Sequence, residues 1–309
     1  MKKQVSCQMF WLQIVAFVAC HCHFFLTFVA KYLIMGKGSL LFVPVGGLAN
    51  RMRAVASAYN LALHTGVRLS VVWFRDWAVN ARFFNIFEPV KGLSLRDATF
   101  SDLLLLDRPR RRNLWLPALP EKLAFQQRIN EKYVDRLKHE AFDFDAWAAG
   151  KKSWMSCYSV FGNPDDRLYA ELFHPVKEVM DKVEAFTDKF SSHTIGFHIR
   201  RTDNQESIEG SPLQLFINAA EREITANTNT KIFVATDDEP TKAELRKRFG
   251  SRIITAADPA SRSSVEGIRD GLVDMYTLAR TAVIFGSAGS SFSPMAAKVG
   301  GARIEILRL

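Results

Sequence analysis

From residue 39 onward, short apolar runs alternate with longer stretches whose apolar residues recur at helical spacing. That alternation is the pattern of buried parallel strands joined by crossover helices. Residues 39–45 read as a fully buried first strand. Gly46-Gly47 breaks it, and a helix rich in good formers begins at Asn50 and passes Tyr59. A strand over 68–74 completes a βαβ unit, hence a parallel sheet. Residues 83–87 predict a short helix stopped by Glu88-Pro89, 125–147 mix aromatics and charge at helical spacing, and 154–160 read as another strand. An amphipathic helix over 176–190 is expected to bridge two domains.

The second half alternates more cleanly. Strands are predicted over 194–199, 231–235, 252–255, 282–285 and 303–307. Helices over 212–225, 240–249, 265–280 and 292–299 fall between and after them, the first with Leu213, Phe216, Ile217 and Ala220 on one face. This is a Rossmann-like arrangement without the Gly-x-Gly-x-x-Gly fingerprint of nicotinamide-binding folds.

At 309 residues the chain suffices for two domains, with 48% hydrophobic and 24% charged residues marking it as globular. The net charge is +9, of which the first 34 residues carry +3 and the remainder +6. Such a balance suits an anionic substrate or an anionic membrane surface, and no nucleic-acid motif accompanies it. Residues 9–30 are almost wholly apolar and flanked by lysines, long enough to cross a bilayer as a helix. Three readings compete for this stretch: a membrane anchor, a cleaved signal, or an extension upstream of a natural start at Met35. No cleavage site followed by a cysteine-paired domain accompanies it, which disfavours the signal. Cys157 is the one cysteine of the body, so the expected compartment is reducing and cytoplasmic, with membrane association possible through residues 9–30. The run Arg108-Pro109-Arg110-Arg111-Arg112 reads as a solvated loop, or as a contact for an anionic acceptor or lipid headgroup.

The candidate chemistry gathers at strand ends. The strand over 194–199 runs into Arg200-Arg201-Thr202-Asp203, directly after His198. Adjacent arginines offer two planar forks of donors suited to phosphate oxygens. Ligands of open α/β folds bind where such loops lie, at the carboxyl ends of the strands. The turn at Gly46-Gly47, with Asn50 and Arg51 at its mouth, presents free backbone N–H groups at a helix N-terminus to an anion. Plain structural readings stand beside these: Gly-Gly as a tight turn, Ser290 or Ser291 as a helix cap, Asp237 and Asp238 as loop supports, and Asp274 paired with Arg269 or Arg280.

The run from His198 to Asp203 resembles the His-x-Arg-Arg-x-Asp motif of the superfamily holding α1,2- and α1,6-fucosyltransferases and protein O-fucosyltransferases. Ile232 to Asp238, ending in Thr236-Asp237-Asp238, is similar to their second motif. Asp274 with the strand and loop through Phe292 is similar to their third, and Gly46-Gly47-Leu48-Ala49-Asn50-Arg51 resembles their phosphate-side loop. The resemblance implies the GT-B fold: two Rossmann-like domains facing across a cleft, preceded by the apolar segment. The expected divisions are 1–35, an acceptor-side domain over 36–185 and a nucleotide-sugar domain over 186–309.

The implied activity is inverting, metal-independent transfer of fucose from GDP-fucose to a glycan or lipid-linked saccharide. The alternatives are another nucleotide sugar on the same fold, or a non-catalytic GDP-sugar-binding relative. No cofactor is expected, GDP-fucose being a substrate. Arg200 and Arg201 are the implied stabilisers of the diphosphate. His198, Asp203, Thr236, Asp237, Asp238, Ser290 and Ser291 stand on the nucleotide or its phosphates, and Asp274 on the guanine edge. Glu206 and Glu209 both follow the motif as candidate general bases, at neither the spacing of the α1,6-type enzymes.

Overall fold

The computed structural model describes residues 38–105, 119–202, 204–256 and 263–309. The apolar segment 9–30 and the run 108–112 lie outside the described residues. Among the described residues no helix is long and apolar enough to cross a membrane.

The described residues form two five-stranded parallel sheets, one before residue 158 and one after residue 193. The first contains β1 (Ser39–Pro44), β2 (Arg68–Trp73), β3 (Ser94–Asp97), β4 (Gln127–Ile129) and β5 (Lys152–Cys157), in the order β3-β2-β1-β5-β4. The second contains β6 (Thr194–Ile199), β7 (Lys231–Thr236), β8 (Ile253–Thr255), β9 (Val283–Ser287) and β10 (Arg303–Leu307), in the order β10-β9-β6-β7-β8. Both β1 and β6 are central and buried along their whole length, as strands covered on both faces are. Each sheet winds outward in both directions from its first strand. The loops after β1 and β6 therefore sit at the switch points where open parallel sheets bind ligands.

The helix after β1 spans Leu48–Thr65, beginning two residues before the expected Asn50. It ends at Gly66, whose φ of +68° is left-handed and suits glycine. The stretch 125–147, expected to be helical, contains β4 before the helices Glu131–His139 and Phe144–Ala148. Asn130 and Asp143 cap those two helices, accepting from Lys132 and Ala146 backbone N–H groups.

The halves meet through the helices Lys177–Thr187 and Val265–Leu278, packed against each other in the main apolar core. Phe173 joins Phe87, with ring centroids 5.2 Å apart, and its carbonyl accepts from the buried Tyr276 hydroxyl. Arg269 Nε donates to Asn85 O at 2.8 Å, and Lys182 pairs with Asp270 at 2.7 Å. The contacts of Tyr276, Arg269 and Asp270 cross from one half to the other and leave the two switch points facing a shared cleft.

Candidate active site

The cleft encloses about 370 Å³ and takes one wall from each sheet. Gly47 to Asn50 supply one wall, and Arg200, Asn204 and the loop 289–292 supply the other. Gly267, Ile268 and Gly271 close one side as a single face of the helix Val265–Leu278. Two of these three being glycine lets a ligand approach that helix closely.

The first wall is set by backbone conformation. Gly46 has φ +82°, and a Cβ there would stand 3.2 Å from Asn50 Nδ2. Only glycine turns the chain here without strain. Gly47 then occupies the N-cap position without a side-chain cap bond, so the first N–H groups of an 18-residue helix open toward the cleft.

Arg51 does not face that opening, contrary to the expectation. Its side chain is 0% exposed. Nε donates to Gly46 O at 2.9 Å, a terminal nitrogen reaches Phe74 O, and another pairs with Asp76 Oδ1 at 2.7 Å. Its guanidinium carbon also lies 4.9 Å from the Trp73 ring centroid. A buried guanidinium needs several acceptors, and these fix the glycine turn instead of a ligand.

The opposite wall separates the two adjacent arginines. Arg200 lines the cleft, with Nε 3.2 Å from Asp237 Oδ2. Arg201 turns away, its terminal nitrogens donating to Ile208 O at 3.2 Å and Ser211 O at 2.7 Å. It braces the helix Gln205–Gly210, and burial pulls its pKa below the usual arginine value. Asp237 is a loop support: it accepts from Arg201 N at 2.8 Å and from Thr202 Oγ1 at 2.7 Å. Asp238 caps the helix Glu239–Phe249 by accepting from Thr241 N at 2.9 Å. Thr236 is buried, its hydroxyl without a partner among the described residues. None of these three lines the cleft. Asp203 lies outside the described residues.

His198 sits beneath the cleft floor. It is 6% exposed and stacks on Phe292, which does line the cleft, with centroids 4.7 Å apart. Burial first, and Arg200 second, push its pKa down to about 4, so the ring is neutral at pH 7. Its Nδ1 is buried without a partner among the described residues.

Ser290 and Ser291 both line the cleft. Ser291 stands at the N-cap of the helix Phe292–Gly300 yet makes no cap bond with its side chain, so its hydroxyl remains available. Asn204 Nδ2 donates to Gly289 O at 3.1 Å and ties the β6 loop to the β9 loop. Gly289 has φ +66°, and a Cβ there would meet Glu206 Oε2 at 2.5 Å. Glu206 thus lies over the cleft loop, with no hydrogen bond or ion pair among the described residues. Glu209 instead accepts from Gln205 Nε2 at 2.5 Å.

Asp274 lies seven residues beyond Gly267 and three beyond Gly271, on the face of the helix that closes the cleft. It is half-buried, and its carboxylate makes no hydrogen bond or ion pair among the described residues. Arg269 is directed to Asn85, so the expected pairing within the helix does not form with that residue. Burial pushes Asp274 up to about 7, with Lys242 acting in the opposite sense.

Asn204 and the Gly267/Gly271 face were not singled out from sequence, and Phe292 only as the end of a motif loop. Gly267-x-x-x-Gly271 inside an otherwise good helix was the signal available for the last of these. No three-residue group of His, Cys, Asp or Glu among the described residues is placed to hold a metal ion.

No family model matches the chain, and no curated protein matches it in sequence. Solved structures do. NodZ, an α-1,6-fucosyltransferase from Bradyrhizobium soaked with GDP-fucose, is 19% identical with a TM-score of 0.60, covering 86% of this chain and 93% of its own. FUT1 of Arabidopsis thaliana, a point mutant in complex with GDP, is 17% identical with a TM-score of 0.60, covering 87% and 70%. POFUT1 in complex with GDP is 10% identical with a TM-score of 0.53, covering 88% and 99%. At these identities the shared property is the fold. The chain has the GT-B-like, two-sheet architecture of these fucosyltransferases.

Proposed function

We propose that the chain transfers fucose from GDP-fucose to a saccharide acceptor, with inversion and without a metal ion. One observation carries the reading: Arg200, the open N-terminus of helix Leu48–Thr65 and the Ser290–Ser291 hydroxyls converge on a single cleft. A leaving diphosphate gathers negative charge as the glycosidic bond breaks, and fixed donors on both walls stabilise it. Fucosyltransferases of the same fold solved with GDP-fucose or GDP support the choice of donor. Glu206, over the cleft loop, is the assigned general base; Glu209 is engaged elsewhere. A panel of nucleotide sugars, scored by release of the nucleoside diphosphate, tests the donor. Turnover of a UDP- or ADP-sugar above GDP-fucose would overturn it.

Metal independence is expected because the fixed donors take the cation's part, and because both aspartates of Thr236-Asp237-Asp238 are committed. Asp237 is paired with Arg200 and Asp238 caps a helix. Activity should persist in excess EDTA and be unchanged by Mg²⁺ or Mn²⁺. Complete loss on chelation, restored by either ion, would contradict this.

Asp274 is assigned to the guanine edge, accepting from N1–H and the N2 amine. Adenine presents an acceptor at N1 and would leave the carboxylate unmatched. In the free protein Asp274 holds its proton up to about pH 7, whereas an unfolded chain releases it at about 3.9. The folded state therefore binds the extra proton between those values, and stability falls as pH rises across that window. Asp274→Asn should flatten that slope in thermal melts at pH 4.5 to 7. It should also weaken GDP by about ten-fold or more at pH 8, given charge-assisted bonds of about 1.5–3 kcal/mol each. The terminal phosphate of GDP titrates near pH 6 as well, so the native-to-variant difference is the quantity to compare. Equal GDP affinities at pH 8 would return Asp274 to a structural role.

A further inference from the structure

A second pocket of about 400 Å³ adjoins the cleft and shares Asn50, Gly289, Ser290 and Ser291 with it. It runs between the helices Leu48–Thr65 and Phe292–Gly300, with Arg53 on the first, Lys298 on the second and Tyr169 between them. Its polar groups are unusual for an interior seam. Tyr169 is fully buried, yet its hydroxyl has no hydrogen-bond partner among the described residues. Asn50 Oδ1 is likewise buried and unmatched among the described residues. Such groups are rare in native folds, and a ligand is one ordinary source of the missing partner.

The charge in this pocket is positive. Arg53 spends Nε on Tyr158 O at 2.9 Å, and its terminal nitrogens make no hydrogen bond among the described residues. Lys298 pairs with the exposed Asp166 and stands 5.2 Å from the Tyr169 ring centroid. Asp166 offsets one of the two cations, which leaves the Arg53 fork for an anion. A fork beside an unmatched amide oxygen and an unmatched phenol fits an acidic group carried on a hydroxylated framework.

Resting on the donor reading above, we propose that this second pocket is the acceptor subsite, and that the acceptor is a saccharide bearing a carboxylate or phosphate. The acid lies on the terminal nitrogens of Arg53. Sugar hydroxyls donate to Asn50 Oδ1 and bond the Tyr169 hydroxyl. Asn50, Ser290 and Ser291 line both pockets, which brings the acceptor to the donor cleft at the shared wall.

The test is ligand-observed NMR titration of the full chain, with and without saturating GDP, using glucuronate, glucose 1-phosphate, glucose and inorganic phosphate. Glucuronate or glucose 1-phosphate should bind in the presence of GDP about ten-fold or more tightly than glucose and inorganic phosphate, as a charge-assisted fork predicts. Which of the two binds better assigns the acid. Arg53→Gln should abolish the preference over glucose, and Tyr169→Phe should weaken the acidic sugar several-fold, both with GDP affinity retained. Equal binding of glucose, equal binding of inorganic phosphate, displacement by GDP or an unaltered preference in Arg53→Gln would each overturn the assignment. If Arg53→Gln does not fold, Tyr169→Phe and the native probe series decide it. Failure of the native chain to bind GDP would sink the donor reading instead, and that result is separable because the sugars are titrated without GDP as well.

Discussion

Arg200→Ala is expected to lower fucose transfer by about two to three orders of magnitude, with the melting temperature nearly unchanged. Arg200 is the member of the arginine pair that lines the cleft, and Asp237 Oδ2 orients it from 3.2 Å. Its charge acts on the departing diphosphate, so the loss should fall on kcat more than on the KM for GDP-fucose. Arg200→Lys keeps the charge but not the planar fork, and should recover only part of the turnover. Asp237 retains its bonds to Arg201 N and Thr202 Oγ1 in either variant, which is why the loop should hold. Arg201→Ala serves as the contrast: its loss strands the carbonyls of Ile208 and Ser211, and should appear first as lowered stability. Near-native turnover in Arg200→Ala, measured by GDP release, would remove the diphosphate assignment.

Strands with an apolar run or apolar alternation were the legible part of this fold, the exposed edge strand β10 included. β6 and β10 occupy the expected residues 194–199 and 303–307, and the other expected strands are found within a few residues of their predicted bounds. The edge strands of the first sheet were not legible. β3 has the sequence Ser-Leu-Arg-Asp, with one apolar residue, and β4 is Gln-Arg-Ile. Their hydrogen bonds to β2 and β5 are the features that define them as strands, and no periodicity of side chains records such bonds.

The site divides in a similar way. Sequence order placed the His198–Arg201 and Ser290–Ser291 loops at strand ends, and parallel topology brought them to one edge. Which of two adjacent arginines enters the cleft depends on carbonyls seven and ten residues further along the chain, at Ile208 and Ser211. Asp237 became a support through a bond to a residue 36 positions away. Such choices are made by tertiary partners, and a strand-end motif read by itself cannot distinguish a ligand contact from a loop support.

Arg51→Ala is expected to destabilise the folded chain by about 3–5 kcal/mol, the range for breaking a buried ion pair by removing one partner. The carboxylate left behind is Asp76, only 5% exposed at its side chain. It would still accept from Ala78 N at 2.9 Å and Val79 N at 3.2 Å, but would have lost the cation beside it. The carbonyls of Gly46 and Phe74 would lose a donor too. Urea unfolding should show the midpoint falling at constant m-value. Arg51→Lys should recover little, because an ammonium on a flexible stem does not reproduce a planar fork reaching three acceptors at once. Function should suffer as well, since the arginine joins the turn before Gly47 to the turn carrying Ala78, and both residues line the cleft. GDP affinity should weaken in whatever fraction remains folded, as the open helix N-terminus loses its fixed aim. A loss of less than 1 kcal/mol together with a large drop in turnover would reverse this account and return Arg51 to the phosphate.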